Sequence, residues 1–481
     1  MSLYLGIDVG TTKTAAVLLD TNTGLPVAVR TVANANQVRV SPSRSEWDAR
    51  AGLDLALEVA REVVRAAEDA SRVGGIGVTG QMHGVVVVDE GLSPLTPLIG
   101  WQDKRCDEPA GGFPSTIAWI QHLGGSELLE GTGCRLATGY LGPTLFWLAR
   151  NGQLPQGTAA FLPDYVVAWL CQQRPLTDPT NAASSGVYDI ARRRWHEGLL
   201  MALDLPLEML PSVLSTGTVV GRLAQQPADA LGLPVGLPVM NAMGDNQASF
   251  FSSVAEPERD LLINIGTGGQ ISATIPRFVP PDVLETRPFL GENYLLVGAG
   301  MTGGNAYAAI RDFFVRIGQE VFGAQPHDEL YGILNRLAQG VAAGSDGLRC
   351  DPRFVGTRHS PLQRGAYSGI SPSNLTPGHF VRSLFEGMAE TFWSAYVEMR
   401  SMGLAPRRRL VGSGNGIRRN PLLAHILSER FGMPLVYPQH SEEAATGAAL
   451  LAAVATGEIA DAATAGKLIQ YVSEQPAATD E

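Results

Sequence analysis

Leu3-Tyr-Leu-Gly-Ile-Asp-Val-Gly-Thr-Thr-Lys-Thr-Ala-Ala-Val-Leu-Leu19 combines two apolar runs with a polar turn between them. Leu3, Leu5, Ile7 and Val9 recur with period two, the pattern of a strand with one buried face. Gly10 permits a turn that a side chain would obstruct, and a second strand is expected from near Thr14. The turn carries Thr11, Thr12 and Lys13: two hydroxyls, exposed backbone N–H groups and a cation. A polyphosphate needs these groups, because its oxygens accept hydrogen bonds and concentrate negative charge. Asp8, at the strand end, would repel a bare phosphate. A divalent cation between the two removes that conflict, which makes Asp8 a candidate Mg²⁺ partner through water. An ordinary hairpin with a polar turn satisfies the same local pattern.

The pattern recurs. Asp260-Leu-Leu-Ile-Asn-Ile-Gly-Thr-Gly-Gly-Gln-Ile-Ser-Ala-Thr274 has the same order of strand, glycine turn and strand. A shift of 256 positions places Leu5, Ile7, Gly10 and Thr11 on Leu261, Ile263, Gly266 and Thr267, and Asp8 on Asn264. Two similar domains follow, with boundaries at 1–240 and 241–481. A third glycine turn, Gly412-Ser413-Gly414-Asn415-Gly416, follows an apolar run. None of the three has P-loop spacing, and Arg418 occupies the last glycine position of a dinucleotide fingerprint. Two equivalent turns, 10–13 and 266–269, suit the ends of a triphosphate, and the third, 412–416, suits the floor beneath a base. Independent structural turns are the plainer alternative.

Composition narrows the classes. A chain of 481 residues is too long for one core. The net charge of −11 leaves no basic footprint for nucleic acid. Arg192–Arg194 and Arg407–Arg409 read as solvated surface. Cys106, Cys134, Cys171 and Cys350 form no C-x-x-C pair, so reduced thiols in a cytoplasmic protein are expected. The first residues lack a secretory pattern, and the Ala-rich run 444–455 is too short to span a bilayer. Leu53, Leu57, Ala60, Val63, Val64 and Ala67 predict an amphipathic helix over 53–67. Thr376–Met402 predicts a buried one. The texture from Pro94 to about Pro238 reads as insertions carrying substrate loops, and the tail after about Tyr471 as frayed.

Candidate chemistry lies in four further stretches. Asp245, in Asn241-Ala-Met-Gly-Asp-Asn-Gln-Ala-Ser, is a carboxylate that could accept the proton of an attacking hydroxyl. Phosphoryl transfer through a loose transition state asks only for a modest base. Locally, a helix N-cap is the more ordinary use of such an aspartate. Gln81, Met82 and His83 mix amide, thioether and imidazole in a strand-connecting loop. Trp101, Asp103 and Arg105 offer an aromatic plate with a carboxylate and a guanidinium, a combination suited to sugars. Asp164 and Asn181 add hydroxyl-binding candidates.

Taken together, these residues resemble the FGGY family of carbohydrate kinases, within the actin-like, ribonuclease H-like ATPases. The carriers are Gly6-Ile-Asp-Val-Gly-Thr-Thr, Gly80-Gln-Met-His-Gly-Val-Val, Trp101-Gln-Asp-Lys-Arg-Cys, Gly244-Asp-Asn-Gln-Ala-Ser, Asn264-Ile-Gly-Thr and Gly412-Ser-Gly. The Gly80–Val86, Pro163-Asp-Tyr-Val-Val, Asn181-Ala-Ala-Ser and Gly244 segments look most like sedoheptulokinases, with xylulokinases as nearest rivals. The resemblance implies an α/β protein with two ribonuclease H-like domains flanking a central cleft. It implies ATP and Mg²⁺ as cofactors, a small-molecule sugar substrate, no membrane partner, and a homodimer as its oligomer.

Residue by residue, Asp245 matches the catalytic base and Asp8 the residue near Mg²⁺. Met82, His83, Trp101, Asp103 and Arg105 match the sugar loops. Gly10 to Lys13 and Gly266, Thr267 and Gly268 match the phosphate turns, and Gly412, Ser413, Gly414 and Asn415 the adenosine region. Two departures stand out: Gly-Thr-Gly-Gly where many relatives carry serine, and an adenosine turn without three consecutive glycines. A non-catalytic sugar or nucleotide sensor on this fold is the alternative from another class, and the intact Asp245 argues against it. An actin-like chaperone ATPase is a further rival; it has no need of the Met82–His83 and Trp101–Arg105 loops.

Overall fold

The computed structural model describes residues 2–41, 43–67, 69–133, 135–280, 284–354 and 363–473. Cys134 and the tail from 474 lie outside the described residues. The chain divides into two compact units that are not contiguous in sequence. One is Met1–Ala255 with Ile275–Leu295 and Glu442–Gln470. The other is Glu256–Thr274 with Leu296–Ser441 and Tyr471–Glu481.

In the first unit, β1 (Leu3–Val9) pairs antiparallel with β2 (Lys13–Asp20), Val9 lying opposite Thr14. β2 continues antiparallel to β3 (Leu25–Ala33). After α1 (Ala49–Arg65) the chain enters β4 (Val73–Gly80), parallel to the other side of β1. β5 (Val219–Arg222) and β6 (Pro238–Met240) complete the order β5-β6-β4-β1-β2-β3. Helix α2 (Asp245–Ser253) follows directly. The helical pattern expected over 53–67 is present in α1. Asp48 caps its start by accepting the Ala51 N–H at 2.9 Å. Its apolar face, with Leu53, Ala60 and Val63, packs on Leu3, Leu5, Ile7 and Leu18, while Glu58, Arg61 and Arg65 face solvent. Full burial of each large aliphatic side chain contributes about 1.5–3 kcal/mol.

One feature departs from the alternation of residues 3–9: β1 is buried on both faces, with Tyr4 and Gly6 as inaccessible as Leu5. The covering element is the helix Glu443–Ala455, the run whose composition raised the question of a membrane span. It sits directly on the strands because glycines face it. A methyl group on Gly6 would lie 1.9 Å from the carbonyl oxygen of Ala445, and one on Gly77 2.0 Å from that of Ala448. Gly447 meets Ala248 of α2 just as closely. No helix among the described residues is long and apolar enough to cross a membrane.

The second unit repeats the arrangement. β7 (Asp260–Ile265) pairs antiparallel with β8 (Gly268–Ile275). After β9 (Tyr294–Thr302), α3 (Gly304–Phe322) and α4 (Pro377–Ser401), β10 (Arg409–Ser413) lies parallel to β7. β11 (Leu435–Pro438) and the short β12 (Tyr471–Val472) give the run β9-β8-β7-β10-β11-β12, and the strand Glu285–Pro288 precedes β9 in the same sheet. Each unit therefore has a central strand with an antiparallel hairpin partner on one side and a parallel strand on the other. α4 is capped by Thr376 and buries Val381, Leu384, Met388 and Phe392. The Arg407–Arg409 run is not uniformly solvated. Arg407 is buried, donating to the carbonyl oxygens of Glu258 and Thr274, and Arg409 pairs with the fully buried Asp260. The guanidinium fork thus ties the turn before β7 to the end of β8.

Candidate active site

The end of β1 gathers three carboxylates. Asp8 is half-buried, and its Oδ1 is shielded from solvent without a hydrogen-bond partner. Burial pushes its pKa up to about 8, and the charges of Asp245 and Glu442 add to the effect while Lys13 opposes it. Asp245 is the first residue of α2; Gly244, not Asp245, holds the cap position. Its Oδ1 accepts the Asn246 N–H at 2.7 Å. Burial lifts its pKa to about 6, against the pull of that N–H and of Arg287. A carboxylate tuned near neutrality at a helix start can hold or accept a proton under cellular conditions.

The donor set fits a hard divalent cation: carboxylate oxygens, one of them orphaned, at a concentration of negative charge. Among the described residues no three acidic, histidine or cysteine side chains close into a direct cage. An ion here would keep water in its shell, as Mg²⁺ prefers.

Gln81, Met82 and His83 run from the end of β4 into this region. Gln81 N–H bonds to Val9 O, and its Oε1 accepts the Thr11 hydroxyl at 3.0 Å. Its buried Nε2 has no partner. The Trp101 indole N–H in turn donates to Thr11 Oγ1 at 2.9 Å, so Trp101, Thr11 and Gln81 form one chain while the Trp101 ring remains exposed. Met82 packs against Gly244. His83 adopts a left-handed backbone (φ +79°) and stacks on Tyr140 with ring centroids 4.3 Å apart. Its Nδ1 lies 2.9 Å from Ser184 O, a contact that fixes Nδ1 as the protonated nitrogen and leaves Nε2 as acceptor in the neutral ring. Met82 and His83 line a small cavity together with Thr180, Glu285 and Arg287.

Other candidates are placed differently. Asp103 and Arg105 are 0% and 3% exposed and bond to each other at 2.7 Å. Arg105 also reaches Glu46, and Asp103 accepts the Ser45 N–H. Neither lines the cavity. Their ion pair fastens the Trp101 loop to the segment 44–47, because two charges in the interior are tolerated only when mutually paired. Asp164 is fully buried in the helix Leu162–Cys171, next to Thr177, and burial raises its pKa well above the carboxylate range. Asn181 is fully buried, its amide donating to Ala242 O.

In the second unit, Gly266, Thr267 and Gly268 form the β7–β8 turn, with Thr267 and Gly268 exposed. The loop after β10 closes on it. Gly414 (φ +82°) approaches Ile265 O, and a methyl on Gly416 would lie 2.7 Å from that oxygen. Gly412 and Ser413 are buried, Gly412 against the Tyr437 ring, whereas Asn415 is exposed. The start of α3 joins them: Gly304 and Asn305 donate their N–H groups to Gly266 and Thr267 carbonyls at 2.9 and 3.0 Å.

Several of these groups escape a reading of the sequence. Gly303-Gly304 between strand and helix has the same grammar as the other turns and could have been found by it. Glu442, which binds Lys13 and Thr31, and Arg287, which faces Asp245, carry no local signal because their partners are hundreds or tens of residues away. Thr180 donates to Asp178 and accepts the Gly244 N–H at 2.8 Å, anchoring the turn before Asp245.

Comparison with known proteins agrees with this arrangement. Residues 3–252 match the N-terminal domain of the FGGY family of carbohydrate kinases, and 261–456 match its C-terminal domain. Sedoheptulokinases of Mus musculus and Homo sapiens are each 30% identical, over 93% of this chain and 96% and 97% of theirs. Xylulose kinase from Rhodospirillum rubrum superposes with a TM-score of 0.86 at 26% identity, covering 99% of this chain and 95% of its own. Plasmodium falciparum glycerol kinase with ADP gives 0.83 at 18% identity over 99% and 93%, a likeness of fold.

Proposed function

Because the chain belongs to the FGGY family of carbohydrate kinases, we propose that this ATP-dependent sugar kinase phosphorylates the terminal primary hydroxyl of a ketose, sedoheptulose before others. The product would be sedoheptulose 7-phosphate. The observation that carries the reading is the convergence, within the first unit, of Asp245 with the cavity lined by Met82, His83 and Arg287. Asp245 accepts the proton of the attacking hydroxyl and orients its oxygen. Gln81 and His83 read sugar hydroxyls, His83 through Nε2. Asp103, Arg105, Asp164 and Asn181 support the loops that surround the sugar.

Mg²⁺, when bound, neutralises phosphate charge; Asp8 would hold its hydration shell, with Glu442 beside it. The turn Gly10–Lys13 supplies donors to phosphate oxygens. In the second unit we assign Gly266–Gly268 to phosphate as well, and Gly414 and Asn415 to the adenosine. In this reading the segment 1–240 carries most of the sugar-binding groups and 241–481 the adenosine-binding ones, with Asp245 and Arg287 of the latter serving the sugar and Gly10–Lys13 of the former the phosphates. Xylulose is the second reading, favoured by the likeness to the Rhodospirillum rubrum xylulose kinase.

ADP release measured across sedoheptulose, xylulose, ribulose, glycerol and several alditols tests the proposal. The expected result is the highest kcat/KM with sedoheptulose. Preference for a pentulose shifts the reading to the second one, and no sugar-dependent ADP release with any of them overturns both.

A further inference from the structure

The strand Glu285–Pro288 lies far along the chain from the glycine turns of the first unit, yet it packs within that unit and is fully buried. It is tied to the first turn of α2 in two places. Arg287 Nη1 donates to Asn246 Oδ1 at 3.2 Å, and Gln247 Nε2 donates to Pro288 O at 3.2 Å. Behind it, Glu285 Oε2 accepts both Nε and Nη2 of Arg287, at 2.9 and 2.5 Å. A guanidinium held on two nitrogens by a buried carboxylate has no rotational freedom left, so its third nitrogen points along a fixed line. That line ends on the residue next to Asp245, and Arg287 lines the same cavity as Met82 and His83.

The cost of this arrangement indicates a purpose. Arg287 and Glu285 are 8% and 5% exposed, and burying an ion pair rarely stabilises a fold relative to apolar residues of the same volume. The return is geometric: the acceptor end of the site is fastened to a wall of the sugar cavity.

We propose that Arg287, braced by Glu285, is a positioning residue for phosphoryl transfer, holding Asn246 and Asp245 in register with the sugar cavity. This rests on the proposed sugar-kinase reading. Arg287 forms no bond to phosphorus and moves no proton. It acts through Asn246 and Asp245, and it decides whether the sugar hydroxyl or water receives the phosphoryl group.

The test compares Arg287→Met, Arg287→Lys and Glu285→Gln with the unaltered protein. Two measurements are made: sugar-dependent and sugar-independent ADP release, and hydrogen exchange of the ligand-free protein over peptide 244–253. Arg287→Met is expected to lose about 10²-fold in kcat/KM for the sugar, the scale of a displaced catalytic group. KM for ATP stays within about twofold, and a larger share of ATP goes to water. Arg287→Lys restores little, since a single ammonium cannot span Glu285 and Asn246 together. Glu285→Gln, the milder change, lies between and keeps the test open if Arg287→Met does not fold. Exchange over 244–253 quickens while that of the helix Leu162–Cys171 does not. A kcat/KM within threefold of normal, or unchanged exchange over 244–253, overturns the proposal. If the unaltered protein phosphorylates no polyol, the kinase reading fails, and the exchange experiment still decides whether Arg287 positions α2.

Discussion

Glu442 takes both of its carboxylate oxygens to Lys13 Nζ, at 2.8 and 2.7 Å, across 429 residues of sequence. Lys13 thus reaches the Asp8 region already paired, and Glu442 also accepts the Thr31 hydroxyl. The Lys13 side chain is 46% exposed, so screening leaves the pair worth no more than about 1 kcal/mol. Glu442→Gln should therefore shift Tm by a few degrees at most in calorimetry. Lys13→Met should raise KM for ATP roughly tenfold, the loss of about 1.4 kcal/mol. An unchanged KM would remove Lys13 from phosphate binding.

Asp245→Asn keeps the shape of the side chain and its place at the start of α2 while removing the proton acceptor. We expect kcat to fall by roughly 10²–10⁴, with KM for ATP nearly unchanged and the melting curve intact. Turnover close to normal would assign proton acceptance elsewhere.

The raised pKa of Asp245, about 6, sets a pH profile. The ionised form is the active one, so kcat/KM for the sugar should decline as pH falls through about 6. An acid limb near pH 4, where an ordinary aspartate titrates, would contradict the burial argument.

Asp8 makes the opposite kind of statement, about stability. Its folded pKa, about 8, lies above the unfolded value near 4, so the native state binds the extra proton between those limits. Stability contributed by this group is full at low pH and lost as pH rises toward 8. Asp8→Asn should therefore raise Tm at pH 7.5 and leave it unchanged at pH 4, measured without divalent cations. Equal shifts at both pH values would show that the carboxyl is not strained by its surroundings.

Gly6→Ala and Gly266→Ala form an informative pair. The first would put a methyl 1.9 Å from the Ala445 carbonyl oxygen and should cost about 1–3 kcal/mol or more, visible as a large drop in Tm. At Gly266 nothing lies within 4 Å of the added carbon, so Tm should hold. If phosphate approaches that backbone, KM for ATP rises all the same.

Much of the fold is legible in residues 3–19 and 260–274, because alternation, a glycine and renewed alternation are local signals and the same grammar occurs twice. α1 and α4 are legible for a similar reason, through the helical spacing of their apolar residues. The burial of both faces of β1 is not, since Gly6 is silent about what approaches it. At the site, Asp8, Asp245, Met82 and His83 stand out as residue types in polar turns. Asp103, Arg105 and Asp164 stand out equally and prove to be interior, because a motif reports composition and not which way a loop packs. Glu442 and Arg287 acquire meaning only when distant segments meet, and no window along the chain contains both partners.

The seam of Gly6, Gly77 and Ala248 against the helix Glu443–Ala455 bears on how the protein is made. A ribosome that has delivered Ala255 has released most of the first unit without the helix that seals it. Until translation passes Ala455, a groove meant for backbone lies open to water and to neighbouring nascent chains. Truncation before Glu443, which removes this helix, should therefore yield an insoluble product, as damaging to the amino-terminal unit as a lesion within it.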